Sequence, residues 1–421
     1  VTTPPQATPQ SPVRTAFAGL IGNVLEWFDF AVYGYLASDI GELFFPKSSP
    51  QTQKILAFAV FAIGFIARPV GSVVLGHVGD RIGRRALLTL SIALMGGSTL
   101  VIGFLPTYAQ AGVIAPVLLV LMRLIQGFSL GGEFTGSMVY TTELASQKHR
   151  GLVSSSTAAG TTLGFILGSG TVYLLTHVLS KPQLLSYGWR IPFIASITFC
   201  IIGYFLRHGI VEPEESSKAK QERVHWFSSL VRDWKPIVQL FGIVSMTNAA
   251  YYLTFTFVVD ARKGENEHFI LVNTLVLVVV LFCKPLGGWL SDHIGRRKLM
   301  MILIVAMLAA VYFALDLMTT GSPARFAVGQ LLLGIPLGMA LGLQGAMVTE
   351  IFPVRSRVTS MSIAYSITLA LAGGIAPLVS TALIDATGYA LSPAFYLMIY
   401  GVIGLATLWP MWETNANSLS D

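Results

Sequence analysis

Charge is what this chain has least of. Of its 421 residues, 11% are Asp, Glu, Lys or Arg and 53% are hydrophobic, whereas soluble globular proteins carry roughly 25% charged residues. A water-facing surface needs charge, so an ordinary soluble domain is excluded and a bilayer is the solvent that fits. Cysteine is nearly absent too. Cys200 and Cys283 both lie in apolar runs, a pattern that suits neither a disulfide framework nor a thiolate metal site. No His-Glu-x-x-His element or nucleophile motif occurs, so no enzyme is expected. The net charge of +6 does not imply nucleic acid either, because basic side chains have no soluble face on which to gather. No cofactor is implied.

What is present is a series of apolar runs. A span needs roughly 20 mostly apolar residues, and the breaks between runs place helices near 14–38, 55–77, 86–106, 113–145, 151–178, 189–207, 236–260, 269–290, 299–318, 324–349, 358–384 and 391–412. The expected fold is an all-α integral membrane protein of twelve transmembrane helices in two six-helix bundles. The 41 glycines suit it, because small residues let membrane helices approach closely. Pro4, Pro5, Pro9 and Pro12 among polar residues predict a disordered tail over 1–13, and 413–421 reads as a short C-terminal tail.

Orientation follows from the unequal placement of Lys and Arg. With both termini in the cytoplasm, the inner loops hold most of them, including Arg81, Arg84, Arg85, Lys148, Arg150, Arg296, Arg297, Arg355 and Arg357; the outer loops hold fewer, such as Lys181 and Lys263. The longest polar stretch, 208–235, divides the chain into an N-terminal half (14–207) and a C-terminal half (236–412). Its Trp226, Phe227, Leu230 and Val231 suggest a helix lying on the membrane surface.

An internal repeat supports two halves. Gly76-His77-Val78-Gly79-Asp80-Arg81-Ile82-Gly83-Arg84-Arg85 returns as Gly288-Trp289-Leu290-Ser291-Asp292-His293-Ile294-Gly295-Arg296-Arg297. At a nearly equal offset, Gly127, Gly131, Thr142, Glu143 and Arg150 return as Gly334, Gly338, Thr349, Glu350 and Arg357. Duplicated halves around a central site are the layout of secondary transporters. In each loop the acid can cap a helix and the arginines can bridge neighbouring acids. That makes Asp80, Arg84, Arg85, Glu143, Arg150, Asp292, Arg296, Arg297, Glu350 and Arg357 a candidate cytoplasmic gate. The plainer alternative is an anchor loop with no mobile role.

The Gly-x-x-x-Asp-Arg-x-Gly-Arg-Arg loop resembles the signature of the major facilitator superfamily. Three stretches resemble its metabolite:proton symporter family: Gly22-Asn23-Val24-Leu25-Glu26-Trp27-Phe28-Asp29-Phe30, Arg123-Leu124-Ile125-Gln126-Gly127-Phe128-Ser129-Leu130-Gly131-Gly132-Glu133, and Gly188-Trp189-Arg190-Ile191-Pro192-Phe193. The resemblance implies the twelve-helix fold, a bacterial inner-membrane location, a monomer, and proton-coupled import of small carboxylates or of zwitterions such as proline and betaine. Drug:proton antiporters on this fold carry a Gly-Pro signature in helix 5, and Gly160 to Gly170 contains no proline. Betaine carriers often extend further at the C-terminus, so a small carboxylate-bearing metabolite is expected, with a zwitterion as the alternative.

Buried charge points to the site, because an ionisable side chain inside a bilayer costs several kcal/mol and marks a substrate or proton path. At ~1.5 Å per residue, Glu26 and Arg68 lie ~18 Å and Glu133 ~15 Å from the inner surface, in the middle of a core about 30 Å thick. Asp29 lies one turn higher. Arg123 lies higher again, as an outer-vestibule residue. Asn23, Glu26, Asp29 and Tyr33 share one face of helix 1, and Arg123, Gln126, Glu133, Ser137 and Tyr140 one face of helix 4. Glu133, Asp29 and Glu26 are the candidate proton carriers, Glu133 first among them. Arg68, Lys284, Tyr33, Gln126, Tyr251 and Tyr252 are the candidate substrate contacts. Two alternatives stay open: Arg68 simply neutralises Glu133 or Asp29, and Lys284 snorkels toward the cytoplasm.

Overall fold

The computed structural model describes residues 12–82, 84–208 and 226–415. The tail at 1–11, most of the 208–235 linker and the last residues lie outside that description. So do the side chains of Asp80, Arg84 and Arg85.

Among the described residues, twelve helices cross the molecule. In the first half they are α1 (Pro12–Tyr35), α2 (Pro50–Ile66, resuming as Arg68–Ile82), α3 (Arg84–Phe104), α4 (Ile114–Ser129, resuming as Glu133–Leu144), α5 (Arg150–Val178) and α6 (Ile191–His208). In the second half they are α7 (Trp234–Tyr252, continuing to Arg262), α8 (His268–Ile294), α9 (Arg296–Thr320), α10 (Pro323–Ile351), α11 (Arg357–Thr368, continuing to Thr387) and α12 (Pro393–Leu408). Among the described residues, eight of these are long and apolar enough to cross a bilayer by length and composition, and Leu90–Phe104 in α3 and Pro393–Leu408 in α12 are shorter apolar helices. The start of α1 and the end of α12 share one face of the bundle, called here the terminal face. The turn from α1 into the short helix Ala37–Phe44 lies on the opposite, far face.

Neighbours repeat between the halves. Helix α2 packs on α4 as α8 packs on α10, and α3 packs on α6 as α9 packs on α12; α5 against α8 and α2 against α11 join the two sets. Lipid tails supply no hydrophobic force between helices, so close packing must hold them together. Gly127 and Gly131 of α4 lie so near the α2 backbone that a Cβ would overlap Gly64 and Ser72; Gly342 of α10 stands in the same relation to Lys284 of α8. Apolar side chains such as Phe104, Val117, Phe282, Ile302, Phe313 and Ile399 are exposed on the outer surface, where a hydrocarbon solvent would meet them.

Three helices depart from regular geometry. Gly132, at φ +92°, lets α4 break over 130–132 and restart, which rotates Glu133 and Ser137 out of phase with Arg123 and Gln126. Tyr140 is consequently exposed, so the single polar face expected on helix 4 is not one face. Helices α7 and α11 each widen into a π turn, at Leu253–Phe257 and Leu369–Gly374, a device frequent at functional sites.

Candidate functional site: an aromatic box with buried ion pairs

Pro69 lacks an N–H and interrupts α2 just before Arg68, which points the guanidinium at α1. Its Nη2 lies 3.1 Å from Glu26 Oε1, and both side chains are buried. The guanidinium carbon stands 5.2 Å from the Trp27 ring, 4.8 Å from Phe30 and 4.9 Å from Phe65. Trp27 packs on Phe134 at 5.6 Å, Phe165 at 6.2 Å and Tyr252 at 6.4 Å. Tyr252 reaches Phe65 at 5.3 Å, and Tyr365 reaches Phe134 at 5.4 Å. Both halves therefore line one aromatic box, with Arg68 and Glu26 in its wall.

Several donors in that box have no acceptor. Arg68 Nε, Trp27 Nε1 and Tyr252 Oη are buried without a hydrogen-bond partner. Each costs about 1–3 kcal/mol left so, and buried polar groups are otherwise almost always satisfied. Donors gathered in one aromatic cluster call for an acceptor from outside.

A second ion pair occupies the next turn of α1. Asp29 Oδ2 lies 3.9 Å from Arg123 Nη1, and Thr99 donates to it at 3.1 Å. Gln126 donates to the same oxygen at 2.5 Å and accepts from Arg123 at 2.8 Å. Arg123 is fully buried and stacks 3.8 Å above the Tyr33 ring. It does not stand in an outer vestibule: α4 starts at Ile114, so nine residues of helix place Arg123 ~14 Å below the far end. Gln126 and Tyr33, expected to touch substrate, are already engaged, since Tyr33 donates its hydroxyl to the Ala57 carbonyl at 3.1 Å. Arg68 pairs with Glu26, whereas the structural alternative raised from sequence named Asp29 or Glu133 as its partner. Glu133 is half-buried in the first turn after the α4 break.

Lys284 does not snorkel, and it forms no ion pair among the described residues. Fully buried on α8, it donates to the Ala158 carbonyl at 2.5 Å and the Thr161 hydroxyl at 3.1 Å, both on α5, with its ammonium 5.5 Å from the Tyr251 ring. Tyr251 in turn packs edge-on against Phe165 at 4.9 Å. Asn248 donates to its own helix, while Gln344 bridges Thr247 and Tyr365 and so ties α10 to α7 and α11.

Both faces are closed between the halves. On the terminal face Asp292 accepts from the Gly151 and Leu152 amides at 2.9 and 3.0 Å, capping α5 across the seam. Arg296 ties that acid to Glu350 at 2.7 and 3.2 Å, and Arg357 meets Glu143 at 2.6 Å. Arg150 is buried within Coulombic reach of Glu350 and Asp292. Arg297 stands apart from the acids of this cluster, donating to the Leu408 and Trp409 carbonyls. Glu413 and Thr414, read as the start of a tail, cap α9 and donate to Glu350 respectively.

On the far face sits a cluster that sequence reasoning missed. Lys263 bridges Asp39 at 2.6 Å and Asp260 at 3.1 Å. Asp39 also meets Lys181 at 2.6 Å, while Asp260 meets Lys54 at 3.3 Å and accepts from the Ser38 hydroxyl at 2.6 Å. Burial alone would raise the Asp39 carboxyl, but the Lys263 and Lys181 ammonium groups outweigh it and hold Asp39 below the usual carboxylate range. Asp260 and Lys263, one turn apart at the end of α7, were the available signal.

Two pseudo-symmetric bundles, closed at both faces around a box of buried charge, define a secondary transporter built for alternating access. Residues 15–216 match the Sugar (and other) transporter family, and 267–419 match the Major Facilitator Superfamily. The Proline/betaine transporter of Salmonella typhimurium is 33% identical over 94% of this chain and 83% of its own length. The Glycine betaine/proline/ectoine/pipecolic acid transporter OusA of Dickeya dadantii is also 33% identical, over 94% and 82%. A crystal structure of the D-xylose-proton symporter shares the fold at a TM-score of 0.76 with 20% identity, over 96% and 99% of the two chains. The chain belongs to the major facilitator superfamily, in the branch that holds these proline/betaine transporters. It is a multi-pass membrane transporter, not an enzyme.

Proposed function

We propose that this chain is a proton-coupled symporter of a small zwitterion bearing a carboxylate and an alkylated ammonium. It works as a monomer in the bacterial cytoplasmic membrane, with both termini inside and the far face outside. The observation that carries this reading is the set of unmet donors at Arg68, Trp27 and Tyr252 in one aromatic box. A substrate carboxylate would satisfy them, gripped by the guanidinium fork. The faces of Trp27, Phe65 and Tyr252 suit the ammonium, since ring quadrupoles attract alkylated cations. A net carboxylate anion, the first expectation from sequence, lacks the cation that the named substrates of the relatives carry beside their carboxylate.

Coupling follows from the Arg68–Glu26 pair. When the substrate carboxylate takes Arg68, Glu26 loses its counter-charge in a dry site and binds a proton instead. Glu26 is thus the proton carrier among the three candidates from sequence, Glu133, Asp29 and Glu26, because its carboxylate lies 3.1 Å from Arg68. In proteoliposomes, an inward proton gradient is expected to accelerate uptake of glycine betaine or proline and not of citrate. Glu26→Gln is expected to abolish that acceleration and spare substrate exchange. Gradient-driven uptake by Glu26→Gln at the parent rate would refute the coupling role.

A further inference from the structure

Lys284 is the buried cation that the Arg68–Glu26 cycle leaves unused. It enters from the second half at mid-helix, both its hydrogen bonds go to uncharged oxygens of α5, and it has no ion-pair partner among the described residues. Tyr251 links it to the box: the ammonium faces that ring at 5.5 Å, and Tyr251 contacts Tyr252 at 6.0 Å. Arg68 and Glu26 pair with one another, so Lys284 is a buried lysine beside the box that no ion pair among the described residues engages.

An aromatic box by itself does not discriminate between quaternary ammonium compounds, because attraction to the ring faces needs only the cationic head. We propose that Lys284 is the specificity-determining charge filter of this transporter, rejecting ligands of net positive charge and admitting zwitterions. This rests on the zwitterion reading above. A zwitterion adds no net charge to the site and presents a carboxylate to the field of Lys284. A simple cation such as choline adds a second unpaired positive charge. Two like charges on the order of 10 Å apart at an effective dielectric of about 20 oppose one another by roughly tenfold in affinity.

Glycine betaine and choline, which share the trimethylammonium head, are therefore the probes. Binding to the purified full chain is followed by the fluorescence of tryptophan, Trp27 lying in the box wall, and uptake is measured in parallel. The parent protein and Lys284→Arg are expected to prefer glycine betaine strongly. Lys284→Gln, which keeps a donor for Ala158 and loses the charge, is expected to bind choline about tenfold more tightly relative to glycine betaine. An unchanged preference in Lys284→Gln overturns the proposal. So does an equal loss of both ligands, which would mark Lys284 as a clamp between α5 and α8. Failure of the parent protein to bind glycine betaine would overturn the zwitterion reading, and the filter with it.

Discussion

Lys263→Met tests whether the far-face cluster is a gate. Lys263 contributes two close ion pairs to buried carboxylates and a bond to the Tyr35 carbonyl, linking α7 to the α1 end. A charge-assisted hydrogen bond is worth roughly 1.5–3 kcal/mol. The acids keep Lys181, Lys54 and Ser38, so the net loss is less than two such bonds, about 2–3 kcal/mol. The Asp260 pair lies within one turn of α7 and exists in open and closed states alike, so the bonds that count are those to Asp39 and the Tyr35 carbonyl, whose loss falls on states closed at the far face. At about 1.4 kcal/mol per decade, the open-to-closed ratio should rise roughly 30- to 150-fold. Ala57 is buried one turn beyond Lys54, so a cysteine there reports opening through its reaction with an impermeant maleimide added from that side. Labelling should quicken by up to that factor, levelling off as the open state becomes the major one. Because Asp39 is held below the usual range, its contribution is present above its ordinary value of about 3.9 and is lost only as pH falls through the lower folded value. Labelling of the parent should thus be flat between about pH 8 and 5 on Asp39's account. Rates within twofold of the parent in both Lys263→Met and Lys263→Met/Asp39→Asn would refute the gate.

Other expectations follow from the same geometry. Arg68→Lys keeps charge but loses the fork, so KM should rise about tenfold or more with some uptake left, whereas Arg68→Ala should not transport; normal affinity in Arg68→Ala would make the residue structural. Asp292→Asn halves the cap on the Gly151 and Leu152 amides and weakens the Arg296 pair, a loss of about 1–2 kcal/mol. A cysteine at Ser137 should then label faster from the terminal face, with the melting temperature little changed. Gly131→Leu would drive a side chain into the α2 backbone and should prevent stable folding in detergent, while Gly170→Leu, with nothing within 4 Å of the added Cβ, should fold. Equal melting temperatures for the two would show that α2–α4 packing is looser than described.

Much of the site was legible residue by residue and little of it pair by pair. Glu26, Asp29, Arg68, Arg123 and Lys284 stand out in the sequence because charge inside an apolar run is costly. Their partners do not, since a pair depends on which helices touch and at what rotation. The break at Gly132 cannot be counted from a periodic pattern, and it undid the single polar face of helix 4. The aromatic wall was hidden for a different reason. Trp27, Phe65, Phe134 and Phe165 look like packing residues in a chain this apolar, and only the unmet donors beside them set them apart.

The sequence by itself determined the solvent, the twelve spans, the duplication and the class of transporter. Those depend on local hydropathy, loop charge and repeated motifs, all of which are written along one dimension. The tertiary structure decided that Glu26 holds Arg68, that Asp29 holds Arg123, that Lys284 crosses to α5, and that Asp39, Asp260 and Lys263 close the far face. Each of these joins residues from different helices, and close packing of helix backbones through glycine sets which side chains can meet.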